Sequence, residues 1–178
     1  MRLPLTVLSR TVIAISLLTA GGAHGGALET LPGMPLAPAL PASSVNAHDP
    51  TQTDFAGHVL LINFWAGWCP PCLREMPALQ RLAERFEGRP FQVLAVNVGE
   101  DARRVRETLR RLDYRGMVLL DKDSTAFDAW DVEVLPTSFV VDGRGRMRLR
   151  VVGELDWDDK DIDRMINEMV GSPGAPPD

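Results

Sequence analysis

The chain has 178 residues, 45% of them hydrophobic and 24% charged, with a formal net charge of −5 and two cysteines. Such an acidic balance makes nucleic acid a poor partner, because phosphate binding rests on clustered positive charge. The length suits one domain with a real core, and neither repeats nor a second domain interrupt it.

Met1 to Ala27 reads as a targeting segment. Arg2 and Arg10 make a positive start, Thr11 to Ala20 a short apolar core, and the small residues ending at Ala23 or Ala27 offer cleavage sites. The apolar run falls short of the ~20 residues that a spanning helix wants, so cleavage is the expectation. An uncleaved inner-membrane anchor is the alternative, and only then is a membrane a partner. No cysteine stands near the boundary for lipid attachment. The segment holds two arginines and no acid, so its removal takes the charge from −5 to −7. Export would place the thiols in an oxidising compartment, where a dithiol works only with a supply of electrons.

Residues 28–52 are rich in proline and alanine, with Pro32, Pro35, Pro38 and Pro41 at spacings of three. That spacing favours an extended chain, read as a tether or a loose lap over the domain. The domain proper, residues 53–170, opens with a turn at Phe55–His58 and then Val59–Trp65. A continuous apolar run of this kind fills a central strand buried on both faces, and Asn63 interrupts it.

Next comes Trp65-Ala66-Gly67-Trp68-Cys69-Pro70-Pro71-Cys72, holding both cysteines between that run and a helix expected from Cys69 to about Glu87. A helix start offers free N–H groups and a positive dipole end, which lower a thiol's pKa and make Cys69 the expected nucleophile. Cys72, about one turn in, can close a short disulfide with it and so exchange two electrons with another dithiol or disulfide. A purely structural bridge is the bland reading, but so short a loop removes little unfolded-state entropy. Zinc wants about four ligands, and His24, His48 and His58 are scattered. The chemistry therefore needs no cofactor beyond the cysteine pair. Glu75, three residues past Cys72 on the same helical face, is the candidate proton carrier, the alternative being an ordinary first-turn Glu favoured by the dipole.

Leu73, Met76, Leu79, Leu82, Ala83 and Phe86 give this helix one buried stripe, and Pro77 should kink it. Phe91–Asn97 reads as the next parallel strand, and Asp101–Leu112 as a surface helix. The arginines of that helix, Arg103, Arg104, Arg106, Arg110 and Arg111, form either a solvated face or a docking patch for an acidic partner. A short strand at Met117–Leu120 and a short helix before Trp130 follow. Trp130 and Trp157 read as packing residues. After Val134-Leu135-Pro136-Thr137-Ser138-Phe139 comes a hairpin in which Arg146, Arg148 and Arg150 alternate with Met147, Leu149 and Val151, one face charged and one buried. A helix over about Trp157–Val170 and a disordered tail at 171–178 end the chain.

Asn63 to Pro77, together with the distant Val134–Phe139, resembles the thioredoxin superfamily and its exported TlpA/ResA/DsbE-like branch. The resemblance implies an α/β thioredoxin fold: a central mixed β-sheet flanked by helices, with the branch's αβ insertion. It places Pro136 after a cis peptide bond beside Cys69, with Trp68, Leu135 and Thr137 contacting substrate, and it supports the role given to Glu75, since Asn63 cannot titrate. It implies a periplasmic thiol:disulfide oxidoreductase, a reductase of protein disulfides on apocytochrome c or copper-site proteins, fed by a membrane thiol electron donor. A thiol oxidase or isomerase is the alternative direction. A copper-delivery module would need its cysteines one residue further apart and a histidine near the partner loop. A thiol peroxidase would need a Pro/Thr pocket motif around Cys69.

Overall fold

Val59–Trp65 forms β2, the strand on which the sheet is built, and all its residues are buried. The structure is a computed structural model that describes residues 26–171. Most of the leader and nearly all of the expected tail lie outside these residues. The remaining strands are β1 (Ala27–Thr30), β3 (Phe91–Val98), β4 (Met117–Asp121), β5 (Thr137–Val141) and β6 (Met147–Val152). They make one six-stranded sheet in the order β1-β6-β5-β2-β3-β4. β2 runs parallel to β3 and antiparallel to β5, so the sheet is mixed.

Period-two alternation gives β2 two different neighbourhoods. Val59 and Leu61 face Leu79 and Leu82 of α1 (Pro70–Arg85) and Trp157, Ile162 and Ile166 at and within α4 (Lys160–Gly171). Leu60, Ile62 and Phe64 face Trp130, Phe139 and Val141 on the other side, where α3 (Thr125–Ala129) also packs. Each such fully buried side chain contributes about 1.5–3 kcal/mol. Pro70 opens α1, where its missing N–H costs nothing, and Pro77 lies inside the helix, which continues to Arg85. α2 (Ala102–Leu112) is started by Asp101, whose carboxylate accepts from the N–H groups of Arg103 and Arg104 at 3.0 and 3.1 Å. Val105 and Leu109 turn inward against Met76 and Val118.

The proline-rich segment, expected as a tether or a loose lap, lies over the domain as a strap held by backbone hydrogen bonds. β1 pairs antiparallel with β6. The chain then crosses the Phe64 face, the N–H groups of Met147 and Leu120 donating to Pro35 and Ser43. Leu36 bridges to Arg146 and Ser44 to Leu119, so the strap touches both edges of the sheet. Prolines mark an extended chain, but the donors and acceptors that hold this one belong to the sheet. Ala27 is already part of β1, so the leader boundary expected after Ala27 falls inside the strand.

One hairpin arginine departs from the expected alternation. Arg148, expected on a charged outer face, is only 3% exposed and pairs with buried Asp142 at 2.9 Å. Alternation predicts two faces, but not what covers the polar one.

Candidate active site

The cysteines lie where the buried strand gives way to α1. Cys69 is the N-cap of the helix and Cys72 is inside its first turn, both buried. They form a disulfide with a Cα–Cα separation of 5.4 Å, and the Cys72 N–H donates to Cys69 Sγ at 3.4 Å. A backbone donor aimed at that sulfur favours its thiolate once the bridge is open. Trp68, one residue earlier, is 68% exposed and lines an open groove beside the bridge.

The loop before Cys69 is clamped from α2's side. Glu100 Oε2 accepts from the Gly67 N–H and from Asn97 Nδ2, the latter at 2.8 Å. A side chain at 67 would sit 3.0 Å from Glu100 and 3.1 Å from Thr108, so a glycine lets the loop reach its clamp.

Glu75 is buried in the second turn of α1, only 3% exposed, so the reading as a dipole-favoured first-turn residue does not hold. Three donors converge on its carboxylate. Asn63 Nδ2 donates to Oε1 at 2.7 Å, while Trp157 Nε1 and the Leu155 N–H donate to Oε2 at 3.2 and 3.3 Å. Asn63 Nδ2 also donates to Ser138 Oγ at 2.9 Å, tying β2, α1, β5 and the segment before α4 together. Burial pushes the Glu75 carboxyl up from 4.5 to about 7, against the three donors, which favour its ionised form. A carboxyl near neutrality, three residues from Cys72 on one buried helical face, can take or give a proton at working pH.

Leu135-Pro136 is a cis peptide bond, and Leu135 packs against the cluster that contains Cys69 and Cys72. The antiparallel register pairs Phe64 with Thr137, so the chain at Pro136 passes the Trp65 end of β2. Pro136 is buried and its carbonyl accepts from the Gly153 N–H at 2.9 Å.

Residues 32–166 match the Redoxin family. The chain belongs to the Redoxin family. It is 31% identical over 123 residues to the thiol-disulfide oxidoreductase ResA of Geobacillus thermodenitrificans, 69% of this chain and 71% of that one. Among solved structures it resembles a thiol:disulfide interchange protein described as DsbE from Chlorobium tepidum, with a TM-score of 0.62 and 28% identity over 67% of this chain and 84% of that one. It also resembles a thioredoxin from Neisseria meningitidis, with a TM-score of 0.67 and 29% identity over 76% and 90%. The sheet and helices are a thioredoxin fold, and the chain is a ResA/DsbE-like thiol-disulfide oxidoreductase.

In this Redoxin-family chain the expected site residues divide into two groups. Cys69, Cys72, Glu75, Leu135 and Pro136 gather around one end of β2, with Trp68 at the surface beside them. Thr137, expected to touch substrate, is fully buried and its hydroxyl donates to the Val134 carbonyl at 2.9 Å. It shapes the loop, whose exposed apolar side chain is Val134 at 49%. Trp157 does more than pack, since its indole N–H holds Glu75. Glu100, Asn97 and Leu155 carried no sequence signal of their own; a buried carboxylate's need for donors and a glycine between two tryptophans were the nearest hints.

Proposed function

We propose that the chain is a periplasmic reductase of protein disulfides, using the Cys69/Cys72 dithiol and no other cofactor. The observation that carries this reading is a disulfide at a helix start whose N-terminal sulfur accepts a backbone N–H, with a near-neutral buried carboxyl behind it. The thiolate of Cys69 attacks one sulfur of a partner disulfide, forming a mixed disulfide and releasing one partner thiolate. Cys72 loses its proton to Glu75 and attacks Cys69 Sγ. The second partner thiol leaves, and two electrons have passed to the partner. Pro136 offers no N–H and its carbonyl is already engaged, leaving the Leu135 backbone to hold the partner in extended form beside Trp68.

Oxidised protein must then be recharged, and a membrane thiol carrier is the donor in this reading. Apocytochrome c and copper-site proteins are the substrate candidates, by similarity to ResA- and DsbE-like proteins. The N-terminal leader, cleaved upstream of β1 or kept as an anchor, would deliver the domain to the periplasm. Cys69→Ala should abolish reduction of a protein disulfide such as insulin's, while Cys72→Ala should accumulate mixed disulfides visible on non-reducing gels. Full activity in Cys69→Ala would refute the assignment.

A further inference from the structure

The groove beside the disulfide has an uneven charge that the exchange chemistry does not use. It encloses about 700 Å³ and runs from Gly67 and Trp68 along α2, past Arg104, Arg110 and Arg111. Residues 101–112 carry five arginines and two acids in a chain whose net charge is −5. The groove's own acids are already engaged: Glu100 holds Gly67 and Asn97, and Glu107 pairs with Arg103 at 3.4 Å. The arginines are less so. Arg104 is 3.7 Å from exposed Asp101, the Arg111 guanidinium donates to Thr108 at 3.1 Å, and the Arg110 carbonyl accepts from the Asp113 N–H while its guanidinium has no ion pair among the described residues.

These cations line the same groove as Gly67 and Trp68, beside Cys69. Thr108 lies under Gly67, so α2 abuts the loop that carries Trp68 and Cys69. A polypeptide whose disulfide reaches Cys69 past Trp68 would lay its flanking residues along this wall.

We propose that the arginine-lined groove is a docking surface for an acidic segment flanking the partner's disulfide. Aspartate or glutamate side chains there meet guanidinium groups that can take carboxylates in a two-pronged geometry. A local positive wall on an acidic protein also steers such partners to the thiol and turns basic ones away. The proposal rests on the disulfide-exchange reading of the same site, and it adds which partners the site selects.

The test uses prereduced protein and three disulfide-bridged peptides that differ only in flanking residues: acidic, neutral and basic. In a single turnover each protein dithiol is oxidised to the Cys69–Cys72 disulfide as one peptide disulfide becomes two thiols. Hydroxyethyl disulfide serves as an uncharged control. The acidic peptide should react about tenfold faster than the basic one at low salt, with the ratio falling toward one at high salt. Arg110→Glu with Arg111→Glu should invert the ratio, and the double Gln variant should bring it near one. The Gln pair keeps the test open if charge reversal at the end of α2 weakens the helix, which thermal unfolding would reveal.

Equal rates for the three peptides, or an acidic preference that survives both double variants, overturn the proposal. So would loss of binding to phosphatidylglycerol vesicles on charge reversal with unchanged peptide ratios, which would assign the arginines to a lipid surface. Failure of the wild-type protein to reduce any peptide or hydroxyethyl disulfide would instead sink the exchange reading itself.

Discussion

The two faces of β2 use adjacent residues for opposite ends. Asn63 points into a polar network in which Glu75 collects three donors and a raised pKa. Phe64, next in sequence, sits 5.8 Å from Trp130 and 6.1 Å from Phe139, ring to ring, under an apolar strap. One face accepts the cost of a buried ionisable group, at the place where the proposed exchange chemistry would use a mobile proton. Toward its Val59 end the same face is apolar and packs on α1 and α4. The other face is apolar from Leu60 to Phe64, and the strap that closes it reaches both sheet edges. The Asn63–Glu75 network and the Phe64 aromatic cluster are thus separated by a single strand thickness.

Trp130→Ala should break the apolar side alone. It removes two ring contacts and the indole N–H donated to the Ala39 carbonyl at 3.2 Å, for a loss of about 3–5 kcal/mol in unfolding free energy. Thiol-exchange rates per folded molecule should remain those of the wild type. A large drop in rate at full folding would mean that the faces are coupled.

Glu75→Gln should do the reverse. Disulfide exchange near neutral pH should slow by about 10² as general acid–base help is lost. Stability should change in a pH-dependent way whose sign is fixed. The folded carboxyl's pKa lies above its unfolded value, so its stabilising effect is complete below pH ~4.5 and lost as pH rises through about 7. Above that range Glu75→Gln should recover about 3 kcal/mol that the wild type gives up. Denaturant unfolding from pH 4 to 9 would show it, and parallel curves for the two proteins would contradict it.

Trp157→Phe is the sharpest test of how the polar side is tuned. It keeps an aromatic ring, though a smaller one, at a fully buried position and deletes one donor to the carboxylate, so the pH midpoint of the exchange rate should rise by about one unit. Glu154, the charged group that acts on Glu75, is itself ion-paired with Arg74 at 2.5 Å, and both are unchanged by the substitution. An unmoved midpoint would leave Trp157 a packing residue.

Much of this arrangement was legible before any coordinates. The Val59–Trp65 run, the Cys69/Cys72 spacing at a helix start and the Val134–Phe139 motif are local patterns, and a local pattern survives in sequence. The strap, the Glu75 donors and the Glu100 clamp were not legible. Trp157 is 82 residues from Glu75, and Glu100 is 33 from Gly67. The strap and the loop clamp also rest on backbone groups, which every residue type supplies and no residue type advertises. Arg148 was misplaced because alternation along one strand does not show that a buried Asp142 will pair with it.

The most direct test of the central claim is the midpoint potential of the Cys69/Cys72 pair at pH 7, read by counting free thiols after equilibration with defined glutathione or dithiothreitol ratios. A reductase of protein disulfides predicts a value near or below about −220 mV. A value near about −120 mV would make the pair an oxidant that installs disulfides, and would contradict the direction of electron flow assigned here.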